Sequence, residues 1–438
     1  MNTLALARRS IPLNDSWDVV VAGGGPAGCA AAAAAAREGA RTLLIEATGM
    51  LGGMGTAGLV TCWCPFSDKK QMIYRGLAQK VFVAGQSGVP HVPREQLDWV
   101  PFDPEHLKRI YDDLVTDAGV TLLFQSFVTG VEMDADGVVS ALLVASKSGL
   151  TAHRAKVYVD CTGDGDVCAW AGAEFGVGDE TTGEVQPSTH CFVLSNVDTH
   201  AFALAPRGRL FHDVHACGRY PLVKDRHGCN TLVGPGTVTF NSGHLWEVDS
   251  TDPASMSKAL VEGRRLIRQL RDGLAEFHPA AFGNAFLAQS APLLGVRESR
   301  RIIGDYVLVK DDYLSRRSFH DEIGRNSYPI DIHTTKAEAT TGRGPNAMDR
   351  YEQFGPGESH GIPYRCLTPK GLRNVLVAGR CISTDHIVQA STRVMPPCLV
   401  MGEAAGIAAA MATGDGNVHA VDTDRLRQRL REEGGYLP

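Results

Sequence analysis

No Cys-x-x-Cys pair occurs in the 438 residues, although eleven cysteines are scattered through them at irregular spacing. Zinc ribbons, thioredoxin-like redox pairs and ferredoxin-type cluster segments all use such a pair, so its absence speaks against each of them. The odd, sparse cysteine set is equally unlike a secreted disulfide scaffold and points to a reducing cytoplasm. Cys62 and Cys64 stand closest together, and as alternate residues of an extended or looping segment they are expected to point apart. An excess of positive charge is also missing: 43 Lys+Arg against 49 Asp+Glu give a net charge of -6. No general field is available to hold a nucleic-acid backbone. The alanine-rich stretches at 30–36 and 404–412 are too short and too interrupted to cross a bilayer, and they read as buried helices. Arg8-Arg9 is followed by no apolar stretch of signal-peptide length, so export is not expected. No metal-ligating set is read. What remains is a soluble globular balance, 44% hydrophobic and 21% charged, of a length suited to two or three structural units.

Glycine is abundant, 48 residues or about 11% against a usual value of about 7%. Its densest use is informative. The run Asp18 to Ala22 (DVVVA) is β-branched and continuously apolar, as a parallel strand buried on both faces should be. It leads into Gly23-Gly24-Gly25-Pro26-Ala27-Gly28, then an alanine-rich helix ending near Gly39, then a second strand, RTLLIE. This is a β-α-β unit with Gly-x-Gly-x-x-Gly at the strand-to-helix turn and an acid, Glu46, after the second strand. Gly23 allows the tight turn, Gly25 admits a pyrophosphate, and Gly28 lets helix and strand pack closely. The helix N-terminus offers free N-H groups to phosphates, and Glu46 can accept from a ribose diol. The unit therefore predicts nucleotide binding, of FAD or of NAD(P).

Further along, GMLGGMGTAGLV is too glycine-rich for a regular element and reads as a loop folding over the cofactor. Residues 76–85 read as an amphipathic helix, and Asp103-Pro104 opens another. The stretch VTLLFQSFVTGVEMDADGVVSALLVAS alternates as strands joined at Asp136-Gly137. AKVYVDCTGDGD returns to a buried strand and a polar turn. Between about 177 and 360 the composition shifts towards polar residues, His and Arg. Within it a helix carries Arg264, Arg265, Arg268 and Arg271, which reads as a solvated face. RNVLVA then supplies another apolar strand, followed by Gly379-Arg380 and a final helix from about Pro397 to Ala412.

Taken in order, VVVAGGGPAG, LLIEA with GGMGTAG, VDCTGDGD, LGVRESRRIIGDY, IPYRCLTPKGLRNVLVAGRC and STRVMPPCLVMGEAAGIAAAMA resemble the FAD-dependent oxidoreductase family. Its more distant relatives are the fumarate reductase and succinate dehydrogenase flavoproteins. The resemblance implies an α/β fold with a Rossmann-like FAD/NAD(P)-binding domain that is discontinuous, about 1–176 and 361–438. An α+β substrate or cap domain, 177–360, would be inserted. It implies FAD, with Gly23, Gly25, Pro26, Ala27 and Gly28 at the pyrophosphate and Glu46 with Ala47 at the adenosine ribose. Gly52, Gly53 and Met54 would cover the ribityl chain and flavin, Val128 would lend its backbone to the adenine, and Thr162, Gly163 and Asp164 would lie beside the cofactor. Gly379 and Arg380 match the closing turn, where many two-nucleotide flavoproteins carry Gly-Asp. Arg393, Met395, Pro396 and the last helix, including Ala404 and Ala405, would sit by the isoalloxazine. A helix N-terminus there would stabilise the negative charge of reduced flavin.

The flavin supplies the redox chemistry, so the chain must bind, orient and exchange protons. His386 and His333 are the candidate bases for hydride transfer to or from flavin N5, in dehydrogenation or double-bond reduction. Arg297 and Arg300 either grip a carboxylate or order the cofactor, or else pair with Glu298 or a neighbouring Asp. Expected partners are a small organic substrate and an electron acceptor or donor such as oxygen, a quinone or NAD(P)H, with neither nucleic acid nor membrane. An NAD(P)-dependent dehydrogenase, or the flavoprotein subunit of an electron-transfer complex, are the alternatives.

Overall fold

A computed structural model describes residues 10–134, 137–341 and 347–438. Arg8, Arg9 and Asp136, on which two of the sequence expectations fall, lie outside them.

Five short parallel strands form the central sheet: β1 (Val19–Ala22), β2 (Thr42–Ile45), β3 (Thr121–Leu123), β4 (Val157–Asp160) and β5 (Val375–Val377), in the order β5-β4-β1-β2-β3. All but β3 are buried along their whole length, which is why they read as uninterrupted apolar runs rather than alternating ones. β5, from the far end of the chain, pairs with β4, and β4 pairs in turn with β1. The sheet begun by the first strand is thus completed after a detour of some two hundred residues.

Val19, Val21 and Leu44 face two helices, α1 (Pro26–Arg37) and α2 (Met395–Met411). The alternate residues Val20, Ala22, Leu43 and Ile45 face a second, smaller sheet. That sheet contains the antiparallel pair Phe127–Met133 and Val139–Ser146. One strand of the expected alternating series departs from it: Thr121–Leu123 pairs with β2 in the parallel sheet instead. The reason is connectivity, because the helix Pro104–Thr116 that precedes it returns the chain to the edge of β2. Asp103 caps that helix by accepting from the Glu105 N-H (2.8 Å), as its Asp-Pro opening predicts.

The mid-chain excursion has its own sheet and its own core. Four antiparallel strands, Gly228–Gly234, Thr237–Ser242, Phe192–Ser195 and Phe286–Ser290, are backed by the 25-residue helix Pro253–Phe277. Phe192, Phe240, Phe202, Leu266, Leu270 and Leu274 make a hydrophobic cluster separate from that of the parallel sheet. Arg264, Arg265 and Arg268 are exposed on the helix's outer side. By contrast Leu308, Tyr313, Phe319, Ile323 and Phe354 join the core beneath α1 and α2. Among the described residues no single helix is long and apolar enough to cross a membrane.

Candidate functional site

The turn after β1 is built from three glycines used in three ways. Gly23 has φ +94°, and a Cβ there would stand 2.5 Å from the Cys161 carbonyl oxygen. A Cβ on Gly28 would lie 1.8 Å from the Gly23 oxygen, so the helix can start so close to the strand only with glycine. Gly25 is different: a Cβ would meet nothing within 4 Å. It faces a cavity instead of protein. The Gly24 N-H donates to Glu46 Oε2 and the Thr48 N-H to Oε1, both at 2.7 Å, so Glu46 holds the turn after β2 against the turn after β1.

From this turn a long cavity runs between the parallel-sheet lobe and the inserted one. Gly23, Gly25, Pro26, Ala27, Glu46, Ala47, Gly53, Met54 and Val128 line one end and flank; Thr162, Gly163, Asp164, Gly379, Arg380, Arg393 and Met395 continue the wall. Five of the residues expected at the cofactor do not line it. Gly28 lies beneath the turn, and Gly52 is turned towards Thr56 and Tyr111. Pro396 is buried in the first turn of α2, and Ala404 and Ala405 lie more than two turns further on, fully buried. The small residues of α2 serve helix packing, since a Cβ on Gly402 or Gly406 would sit 2.1 or 2.2 Å from the oxygens of Ala27 and Ala31 on α1.

The sequence reading missed the inserted lobe's share of the wall, namely Ser250, Met256, Leu293, Leu294 and Val296. The apolar PLLGV run immediately before Arg297 was the available signal. Arg380, standing where an acid is common, donates to the oxygens of Gly163 (2.7 Å) and Val296 (2.6 Å) and to Asp164 Oδ1 (2.6 Å). One guanidinium thus ties the closing turn, the Thr162–Asp164 turn and the inserted lobe together.

Beyond Arg393 and Met395 lies a small chamber lined by Met54, Cys62, Cys64, Asn241, Arg297 and Arg380. Cys62 and Cys64 both face it, contrary to expectation, because residues i and i+2 of an extended segment share a face. Arg300 takes the plain alternative, an ion pair with Asp166 (2.8 Å), and Arg301 pairs with Glu298. Arg297 does neither. It is buried, and it donates only to neutral groups: Pro187 O (2.6 Å), Thr189 Oγ1 (2.8 Å), Asn241 Oδ1 (3.4 Å) and His227 Nε2 (3.5 Å). Burial, with the charge of Arg393 nearby, brings its pKa down to about 10. A buried cation without a carboxylate partner among the described residues is an anion-binding group in waiting. Arg393 is steadied by Asp331, whose backbone oxygen accepts from it at 3.0 Å.

The two candidate histidines are not equivalent. His386 Nδ1 lies 2.8 Å from Glu298 Oε1, and the side chain lines an outer cleft with Gln186, Trp246 and Tyr351 rather than the long cavity or the chamber. His333 borders the same cleft but is clustered with His227 and His244, its ring 4.9 and 5.0 Å from theirs. Burial, reinforced by Arg297, pulls the His333 pKa down to about 3, so the ring is neutral. Burial lowers His227 and His244 as well. These three are 17 and 89 residues apart in sequence, with no metal-motif spacing, yet the fold brings a ring nitrogen of each within 4.8 Å of the others.

The family described as FAD dependent oxidoreductase matches residues 18–430, and the chain belongs to it. It is an FAD enzyme, and the open position at Gly25 before the free N-H groups of α1 fits the cofactor's pyrophosphate. Among solved structures, a geranylgeranyl bacteriochlorophyll reductase-like protein from Thermoplasma acidophilum is 14% identical, over 97% of this chain and 84% of that one, with a TM-score of 0.51. The flavin-dependent brominase Bmp2 is 14% identical over 96% and 84% (TM-score 0.46), and L-proline dehydrogenase from P. horikoshii 12% over 98% and 100% (TM-score 0.41). At 14% identity the first of these speaks to the fold alone, and the other two carry no argument. No curated protein sequence matches the chain.

Proposed function

We propose that the protein oxidises or reduces a small organic anion by hydride transfer at FAD, with the substrate held in the chamber beyond Met395 by Arg297 and Arg393. The observation that carries this reading is the buried Arg297 guanidinium, which lines the chamber and has no acidic partner among the described residues. When bound, FAD supplies the hydride acceptor or donor. Gly25 and the start of α1 hold the pyrophosphate, and Glu46 the ribose. Arg380 sets the distance between the lobes, and the inserted lobe, about residues 185 to 298 by its separate core, closes the chamber from water. Fixing the carboxylate by two guanidinium groups orients the reacting C-H, the kind of positioning that lowers a barrier without chemical participation. His386 belongs in this reading to the Glu298–Arg301 cluster of the outer cleft, and His333 borders the same cleft within the histidine cluster.

The test is anaerobic stopped-flow mixing of the FAD-loaded enzyme with 2-hydroxy and 2-amino carboxylates, and of the reduced enzyme with unsaturated carboxylates. At least one class should change the flavin oxidation state. Arg297→Met should weaken that substrate by about 10- to 100-fold, the worth of a lost charge-assisted pair at about 1.5 to 3 kcal/mol. Equal reaction in the wild type, Arg297→Met and Arg393→Met would overturn the assignment.

A further inference from the structure

We propose that His227, His244 and His333 form a binding site for one divalent first-row transition ion, zinc by its chemistry, beside the substrate chamber. The ring nitrogens of all three come within 4.8 Å of one another. His244 Nδ1 is hydrogen-bonded to Asp225, His244 Nε2 lies 3.0 Å from His333 Nδ1, and His333 Nε2 lies 3.4 Å from Asp331 Oδ2. The chain Asp225–His244–His333–Asp331 therefore has three contacts.

Two ionised carboxylates can only accept, and two neutral imidazoles bring one proton each. If both protons go outward to the carboxylates, two nitrogen lone pairs face each other at 3.0 Å. If one goes inward, a lone pair faces a carboxylate. Either way one of the three contacts goes without a proton. A transition ion between the nitrogens uses both lone pairs as ligands. An added proton would also bridge them, but it needs only two nitrogens and would not explain the third.

The outward contacts match what metal sites require. A ligating histidine usually donates its other N-H to a carboxylate, which fixes the tautomer and raises the basicity of the ligating nitrogen. Asp225 and Asp331 stand in those positions for His244 and His333. His227 is stacked on His244 at 4.3 Å and 12°; it completes the set by tilting off that ring and releasing the 3.5 Å contact with Arg297, the longest of that guanidinium's four. Three neutral imidazoles with one position open are the donor set of a zinc site that accepts water or a substrate oxygen.

The assignment is independent of the reaction proposed above, and its test does not use activity. Tag-free, FAD-loaded protein is stripped with chelator, titrated with zinc chloride by calorimetry and analysed for metal by mass spectrometry, with flavin content read from the same sample. One zinc per chain is expected. Asp225→Asn, which keeps the side-chain shape, should weaken zinc by about 10- to 100-fold, and the His244→Gln/His333→Gln double variant should abolish binding. His190→Gln, at a buried histidine outside the cluster that contacts the Ala291 oxygen, should leave zinc affinity unchanged. Folded, flavin-loaded protein that takes up no zinc overturns the proposal, as does zinc retained by the double variant. Nitrogen NMR that finds one of the three rings as imidazolium in zinc-treated protein would also overturn it, because a proton and not a metal would then bridge the nitrogens.

Discussion

Gly25 and Gly28 stand three residues apart in one motif and separate binding from folding. The side chain of Gly25→Val enters open space in the protein itself, so its thermal stability should stay close to that of the wild type while FAD per chain falls towards zero. Gly28→Val must displace the Gly23 carbonyl, so it should lose the fold along with the flavin. Calorimetric melting beside flavin absorbance distinguishes the two, and a Gly25→Val protein retaining full FAD would contradict the placement of the pyrophosphate. A second residue-scale prediction concerns His360. The ring is fully buried, with Nε2 3.1 Å from Asn326 Nδ2 and Nδ1 2.9 Å from the Gly361 oxygen, and burial lowers its pKa to about 4. The native state refuses a proton that the unfolded chain takes up near 6.5. Its contribution is therefore complete above pH 6.5 and is lost as pH falls towards 4, by up to about 3 kcal/mol. His360→Gln should flatten that part of the stability profile in urea titrations; an unchanged slope would place the acid sensitivity elsewhere. The glycine motif was legible because each of its positions has one physical reason. The histidine cluster was not, and the sequence that named Arg297 as a grip for a carboxylate could not show that it stands without an ion-pair partner, because convergence of distant residues leaves no local pattern.

At the scale of elements, α1 and α2 pack backbone against backbone in the core, and the contact rests on small residues. Gly402 and Gly406 admit the backbone of Ala27 and Ala31 at distances no Cβ permits. Gly406→Val should force the helices apart and cost at least about 2 kcal/mol by overpacking. Because α1 begins at the turn proposed for the pyrophosphate and α2 begins at Met395, the same change should weaken FAD binding. A melting temperature within a degree of wild type would contradict this account of the interface. The small residues of α2 were expected to bring it close to the flavin; Gly402 and Gly406 bring it close to α1 instead, and Ala404 and Ala405 are fully buried more than two turns beyond Met395. The strands were the most readable elements, since burial on both faces leaves a continuous apolar run. Thr121–Leu123 misled because its alternation resembles the hairpin that follows it.

For the whole molecule, the two ends of the chain meet in one parallel sheet while the middle builds a separate core over its mouth. Order of motifs along the chain made this readable; the extent of the inserted unit was less so, because Leu308, Tyr313, Phe319, Ile323 and Phe354 come from a stretch that looks polar in sequence yet pack beneath α1 and α2. The arrangement leaves the cavity proposed for the cofactor walled by both lobes, with the chamber of Arg297 beyond Arg393 and Met395. The outer cleft of His386 is the competing location for the reaction. The measurement that separates them is a crystal structure of the FAD-loaded enzyme with a small carboxylate that alters its flavin spectrum. The account predicts the isoalloxazine beside Arg393 and Met395 and the carboxylate within hydrogen-bond distance of Arg297. A carboxylate found instead in the cleft of His386, Trp246 and Tyr351, away from both arginines, would contradict it.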